Sequence, residues 1–354
     1  MKKDAEWLCE FESLEKKFPY SLAVVDAHTA GSSARLLVGG FPPVKGKTVS
    51  DRLEYFQNNL DYIRVAFMQE PRGHESCCGA ILLPPSTPEE DLSCLFVTNS
   101  GYTSVCGHVS LALGNFLKQV SSEERSISKV SVGTPSGIIQ LDCSGFQNSA
   151  NTIAFENVPS FLYCEAEIEL PNLEKIPVAV SFGGNFYVLV DAGNLPSSYK
   201  EASVSEMTVL GKAIMNAVNA QIEIKHPIQK HLNSASLVMF YGLPQCNNGD
   251  TKTFTTWGEN QFDRSPCVTG TSALLGYLYW QGRIGVDEEY KVESIIGTTF
   301  IARIKKEVAV DSYRAVITEV AGDSYITGFN RIVVDPKDPI GAGFKIAPNL
   351  PIIN

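Results

Sequence analysis

The chain has 354 residues, 44% hydrophobic and 19% charged, with a formal net charge of −10 and a pI near 5.1. That length supports about two domains, and the acidic balance argues against nucleic acid or an anionic membrane as partner. No run approaches the roughly 18 apolar residues of a membrane span, and the polar start, residues 1–17, lacks the apolar centre of a signal peptide, so a cytoplasmic location is expected.

In chain order, Trp7, Leu8, Phe11 and Leu14 fall on one face of a short amphipathic helix. Leu22–Asp26 reads as a buried strand, followed by the polar turn His28-Thr29-Ala30-Gly31-Ser32 and a returning strand at Leu36–Val38. A polar glycine turn after a buried strand is a common ligand-facing loop. Thr48–Asp61 has helical spacing, opened by Thr48 and Asp51 as a capping box. Ala80–Leu83 is a strand, and Pro84–Asp91 a surface loop. Lys129–Val132 and Gly137–Leu141 read as paired strands around a Thr-Pro-Ser-Gly turn.

The second half echoes this order. Pro177–Val190 is strand-rich, interrupted by Phe182-Gly183-Gly184-Asn185-Phe186. Ser203–Ala220 is helical, Ser236–Tyr241 and Thr298–Ile304 are strands, and Pro336–Pro339 is a turn. Gly183-Gly184 is no phosphate loop, because no Gly-Lys-Ser/Thr follows.

Two stretches carry the chemistry. In Asn99–Gly114 a polar turn leads to Cys106, and Val109, Leu111, Leu113, Phe116 and Leu117 then recur at helical spacing. Gln261–Leu275 repeats the design: Asp263 and Arg264, then Ser265-Pro266 as a helix entry, Cys267, a hydroxyl-rich turn, and Leu274, Leu275, Leu278 and Tyr279. Each cysteine therefore stands at a helix N-terminus, facing unpaired N–H groups and the positive dipole end, which favours thiolate. Glycine turns follow both helices at matching offsets, Gly137 after Cys106 and Gly297 after Cys267, as two related α/β halves would produce. Two such thiols are well suited to flanking a carbon acid, one taking a proton and the other returning it on the opposite face.

The nine cysteines are scattered, without a Cys-x-x-Cys pair, and are expected to be unpaired. Cys9, Cys94, Cys143, Cys164 and Cys246 carry no motif and read as core residues. His74 with Cys77 or Cys78 lacks further ligands at useful spacing, so no metal site is expected. His28 reads as structural, and His226 and His231 as surface or loop residues.

These motifs resemble the proline racemase superfamily over nearly the whole chain after about residue 20. The likeness rests on Asp26–Gly31, Glu70-Pro71-Arg72-Gly73-His74, Val105-Cys106-Gly107-His108, Phe182–Phe186, Asp263–Ala273 and Ser294–Gly297. The resemblance implies an α/β (α+β) fold of two pseudo-symmetric domains like those of diaminopimelate epimerase. Each would have a central helix, with the active site between the domains and no cofactor. The expected domains are residues 18–172, completed by 322–354 and carrying Cys106, and residues 173–321, carrying Cys267.

By the same resemblance, Cys106 and Cys267 form the acid/base pair. Gly107, His108, Val268 and Thr269 hold the substrate carboxylate, and His108 and Asp263 face its ring nitrogen. Four positions depart from the family's habit. Val268 stands where glycine is usual after the second cysteine. Ala30-Gly31-Ser32 replaces Gly-Gly-Glu. Cys78 falls at a pocket-wall position usually aromatic or Val. Ser236 lies near a histidine of hydroxyproline epimerases.

The expected activity is racemisation or 2-epimerisation of proline or hydroxyproline, with a small imino acid and a second copy of the chain as partners. The alternatives are dehydration of trans-3-hydroxyproline, a branch in which threonine typically replaces the second cysteine, and a silent binding protein of the same fold.

Overall fold

A computed structural model describes residues 17–18, 20–121, 127–145, 151–170, 175–199, 201–243, 246–258 and 261–345. The N-terminal amphipathic segment and Cys9 lie outside these described residues.

The polar turn at Ala30-Gly31 folds β1 (Tyr20–Thr29) onto β2 (Ser32–Gly39) as an antiparallel hairpin. Ala30 and Gly31 both have positive φ, 48° and 95°, as tight hairpin turns require. The helix expected over Thr48–Asp61 is shorter and has a successor. α1 (Val49–Asn59) begins with the Thr48/Asp51 capping box, the chain breaks at Leu60, and α2 (Asp61–Met68) follows. Asp61 opens α2 because its carboxylate is held by Arg64 and by Tyr102.

Next come β3 (Cys78–Leu83), β4 (Leu92–Thr98), β5 (Tyr102–Thr103) and α3 (Gly107–Val120). They lead into β6 (Lys129–Thr134), β7 (Gly137–Asp142), β8 (Thr152–Glu156) and β9 (Ser160–Ile168). The remaining chain gives β10 (Ile176–Phe182), β11 (Phe186–Asp191), α4 (Val204–Gln221) and β12 (Leu237–Tyr241). β13 (Thr251–Lys252), β14 (Phe254–Trp257), β15 (Gln261–Phe262) and α5 (Val268–Trp280) follow. β16 (Glu289–Glu293), β17 (Thr299–Val310) and β18 (Tyr313–Val334) complete the order.

The strands join in one mixed sheet that wraps around two helices. β2–β3, β4–β6, β11–β12 and β13–β16 pair parallel, while the other pairs are antiparallel. α3 packs against β1, β2, β8 and β18, and α5 against β9, β10, β17 and β18. Every residue of α5 from Val268 to Tyr279 is buried. Its nearly all-round apolar surface suits a helix enclosed by sheet.

β18 binds the two packing units together. Its first part, Tyr313–Ala321, pairs with β17, and Ser324–Val334 pairs with β1. Gly322 sits at the changeover, where a side chain would collide with the ring of Phe300. β9 pairs with β10 and packs on α5.

The core next to α5 is aromatic. Phe161 is fully buried, with ring neighbours Phe182, Phe186, His226 and Tyr313 at 4.9–6.4 Å. His226 lies in a loop, one of the two expected settings, but not at the surface. It is only 6% exposed, and its Nδ1 accepts N–H bonds from Ile228 and Gln229, so the ring serves as core and turn support. Replacing Phe161 by Ala removes that common neighbour and should cost about 3–5 kcal/mol, measured by chemical denaturation.

Candidate active site

The Phe182–Phe186 motif brings the two cysteine helices together. Gly184 turns the β10–β11 hairpin with φ 97°. Gly183 lies on the first turn of α5, so closely that a Cβ would meet the Thr269 carbonyl at 2.4 Å. Asn185 reaches the other way: its Nδ2 donates to the Val105 carbonyl at 2.9 Å, just before Cys106, and its Oδ1 accepts from Thr103. The starts of α3 and α5 then touch directly. A Cβ on Gly107 would lie 2.3 Å from the Val268 Cβ.

A cleft of about 500 Å3 opens at this contact. All nine residues singled out from the sequence line it: Cys78, Cys106, Gly107, His108, Ser236, Asp263, Cys267, Val268 and Thr269. His231, read from the sequence as a surface or loop residue, lines it too.

Cys106 is the N-cap of α3 and is buried. Its Sγ lies 3.6 Å from His108 Nδ1. The neighbouring Cys78 thiol and, against the cost of burial, the His108 charge hold Cys106 well below a free thiol. The same pairing pushes Cys78 well up, so that it stays a thiol. His108 is buried, which disfavours its charge, yet the Cys106 thiolate and Asp263 raise it to about 9. Its Nε2 lies 3.2 Å from the Ser33 carbonyl, and Thr29 Oγ1 donates to the His108 carbonyl at 2.7 Å.

Cys267 caps α5 in the left-handed region, with φ 67°. A non-glycine residue held there costs of order 1–3 kcal/mol and is typical of functional sites. The expectation that its helix terminus would favour thiolate is overturned. Burial and the nearby Asp263 charge raise Cys267, outweighing Tyr187, the Gly270 N–H and Thr255, which act in the other direction. The Tyr187 hydroxyl lies 3.4 Å from Cys267 Sγ and 2.6 Å from Thr269 Oγ1.

Asp263 is anchored through Oδ1, which accepts from Ser32 Oγ, from the Ser265 N–H at 2.9 Å and from Ser265 Oγ at 2.8 Å. Ser32 Oγ in turn accepts the N–H groups of Arg264 and Ser265, both at 3.0 Å. Arg264 instead donates to the Phe262 carbonyl and stacks over the Phe262 ring.

Residues 24–345 match the family described as Proline racemase. The chain belongs to that family. It is 36% identical over 334 residues to a proline racemase of Acetoanaerobium sticklandii, covering 93% of this chain and 100% of the other. It is 32% identical over 330 residues to a 4-hydroxyproline epimerase of Brucella suis, covering 93% and 99%. A crystal structure of a probable proline racemase from Agrobacterium radiobacter, with bound carbonate, superposes with a TM-score of 0.83. It is 26% identical and covers 92% of this chain and 96% of that one. The protein is thus an isomerase of the racemase and epimerase class.

Sequence motifs do not reveal Tyr187 as part of this family member's site, and they contain Ser32 and Asn185 without showing what either bonds to. Tyr187 sits in an apolar strand, where its pattern is that of a core residue, and its sulfur partner is 80 positions away. Glu70–His74, by contrast, is a brace. Arg72 donates to the Ala66 and Gly341 carbonyls, and Gly73 leaves room for the Met68 carbonyl. The contact between helix starts is directly testable. Gly107→Ala should lower the melting temperature and abolish turnover, and Val268→Gly added to it should restore most of both.

Proposed function

We propose that the protein is a cofactor-independent, two-base racemase or 2-epimerase acting at the α-carbon of proline or a hydroxyproline. The observation that carries this reading is a pair of cysteines on two abutting helix N-termini in one cleft, with surroundings that favour thiolate at Cys106 and thiol at Cys267. The names borne by the relatives in Acetoanaerobium and Brucella support the substrate class.

The substrate carboxylate lies on the backbone N–H groups of Gly107, His108, Val268 and Thr269, where two helix dipoles converge. Its ring ammonium faces Asp263. The Cys106 thiolate removes the α-proton, the electron pair passes into the carboxylate as an enediolate held by the same N–H groups, and Cys267 delivers its proton to the opposite face. Each inversion leaves the pair reversed, with Cys106 as thiol and Cys267 as thiolate, so the two titrate as a unit.

Cys267 argues against the dehydratase alternative, which needs one base only. Ser236 and Cys78 line the wall beside the ring and bear on the choice between proline and its hydroxylated forms. The units that close on the substrate are the two halves, 18–172 with 322–354 and 173–321. The partner switch within β18, from β17 to β1 around Gly322, supports the second crossing. The free cysteines among the described residues support a reducing, cytoplasmic setting. A second copy of the chain as partner belongs to the same reading.

Incubation with L-proline and trans-4-hydroxy-L-proline in deuterium oxide should give α-deuterated C2 epimer. Neither label nor epimer across a panel of proline analogues would sink the proposal. Cys106→Ser and Cys267→Ser should each lower inversion by at least about 100-fold.

The pH profile follows from the thiols. Cys106 must be thiolate to act as base, so lowering the pH protonates it and turnover falls. Because its neighbours hold it down, that fall should come well below the roughly 8.5 of a free thiol. Rising pH costs activity only when Cys267 ionises. A kcat/KM profile whose acid limb sits at about 8 or above, near that free-thiol value, would contradict the assignment.

A further inference from the structure

We infer that Cys78, Cys106 and His108 form a binding site for a thiophilic divalent cation, of the class of zinc and cadmium, that competes with substrate for the cleft. The donor atoms, two sulfurs and one imidazole nitrogen, all lie within 4.8 Å of one another, and all three residues are buried. Tetrahedral zinc, with Zn–S of about 2.3 Å and Zn–N of about 2.0–2.1 Å, holds a sulfur and a nitrogen roughly 3.6 Å apart. Cys106 Sγ is 3.6 Å from His108 Nδ1 and 4.0 Å from its Nε2, so the separation already fits and a turn of the imidazole or the thiol side chain brings the Nδ1 lone pair onto the cation.

The second observation is the far side of the imidazole. A metal-binding histidine almost always donates its other N–H to a carbonyl or carboxylate, which fixes the ring. His108 Nε2 faces the Ser33 carbonyl at 3.2 Å, leaving Nδ1 for the cation. The donors also stand on fixed backbone. Cys78 begins β3, paired with Ala34 on one side and Thr98 on the other, and Cys106 and His108 belong to the first turn of α3. Two thiolates and a neutral imidazole balance the dication, and the protons on Cys78 and His108 leave to solvent. A water in the cleft completes four-coordination, the Cys2His pattern with one open position.

Cys78 makes the site, since it adds the third donor at a position where a hydrocarbon side chain would only line the wall. The cation site itself stands on geometry. Its competition with substrate rests on the two-thiol reading, because the cation occupies the sulfur proposed as base.

The test uses the full chain, reduced and freed of metal. Cadmium is titrated in while the ultraviolet thiolate-to-cadmium band is recorded and stoichiometry is measured by calorimetry. The expected result is one tightly bound cadmium per chain. Cys78→Ala and Cys78→Ser should each weaken it at least ten-fold and reduce the band, while Cys77→Ala, one position outside the cluster, should leave both unchanged. Circular dichroism reports whether each variant folds, and Cys78→Ser keeps the side-chain size should the alanine variant fail.

Added proline should raise the apparent dissociation constant for cadmium. A band and affinity unaltered in both Cys78 variants would overturn the site. Tight binding indifferent to proline would overturn the competition and leave the site standing. Deuterium exchange by the metal-free enzyme tests the two-base reading separately.

Discussion

The structure turns on the contact between Gly107 and Val268, where two helices begin against each other. Each helix start carries roughly half a positive charge and a set of unpaired N–H groups. Bringing two such ends together inside a protein is unfavourable unless negative charge lies between them. The Cys106 thiolate and Asp263 supply part of that charge, and a substrate carboxylate supplies the rest on the proposed reading. The surrounding sheet, the shared strand β18 and the Gly183–Asn185 turn all act to hold that contact closed.

Both cysteines cap helices, so the dipole alone would treat them alike. Their different states come from their neighbours. Cys106 sits beside a thiol donor and an imidazolium, and both favour a negative sulfur. Cys267 sits near a carboxylate in a buried pocket, and both oppose it. The two thiols are thereby shifted in opposite directions, which on the proposed reading is the arrangement a two-base inversion needs. Tyr187, bonded to Thr269 and 3.4 Å from Cys267 Sγ, holds the orientation of that sulfur.

What the sequence reveals of all this depends on whether the physics is local. Helix caps are local, so Thr48, Ser203 and both cysteine helices are legible from spacing and composition. Glycines at hairpin turns are legible for the same reason. β18 is less so, because Gly322, Asp323 and Gly328 interrupt its pattern and its order comes from pairing with β17 and β1. The proton state of Cys267 is not legible at all: it depends on Asp263, Tyr187 and burial rather than on the helix that follows it. His226 looks polar in sequence, yet three phenylalanine rings enclose it. Family resemblance points to the cleft residues, but it does not show that Cys78 stands against Cys106.

The hairpin turn at residues 28–33 is where sequence and stability meet. Ser32 and Ala30 bind residues far along the chain: Ser32 Oγ engages Asp263, Arg264 and Ser265, and the Ala30 carbonyl accepts from Thr298. Gly31 lies against Ile296. These few hydrogen bonds tie the turn to the Asp263 and Thr298 segments; a neutral one is worth about 0.5–1.5 kcal/mol net and one to a charged group about 1.5–3. A serine in place of the glutamate usual at position 32 fits this role. It is short enough to accept two backbone N–H groups while donating to Asp263, and so fixes the carboxylate against the turn.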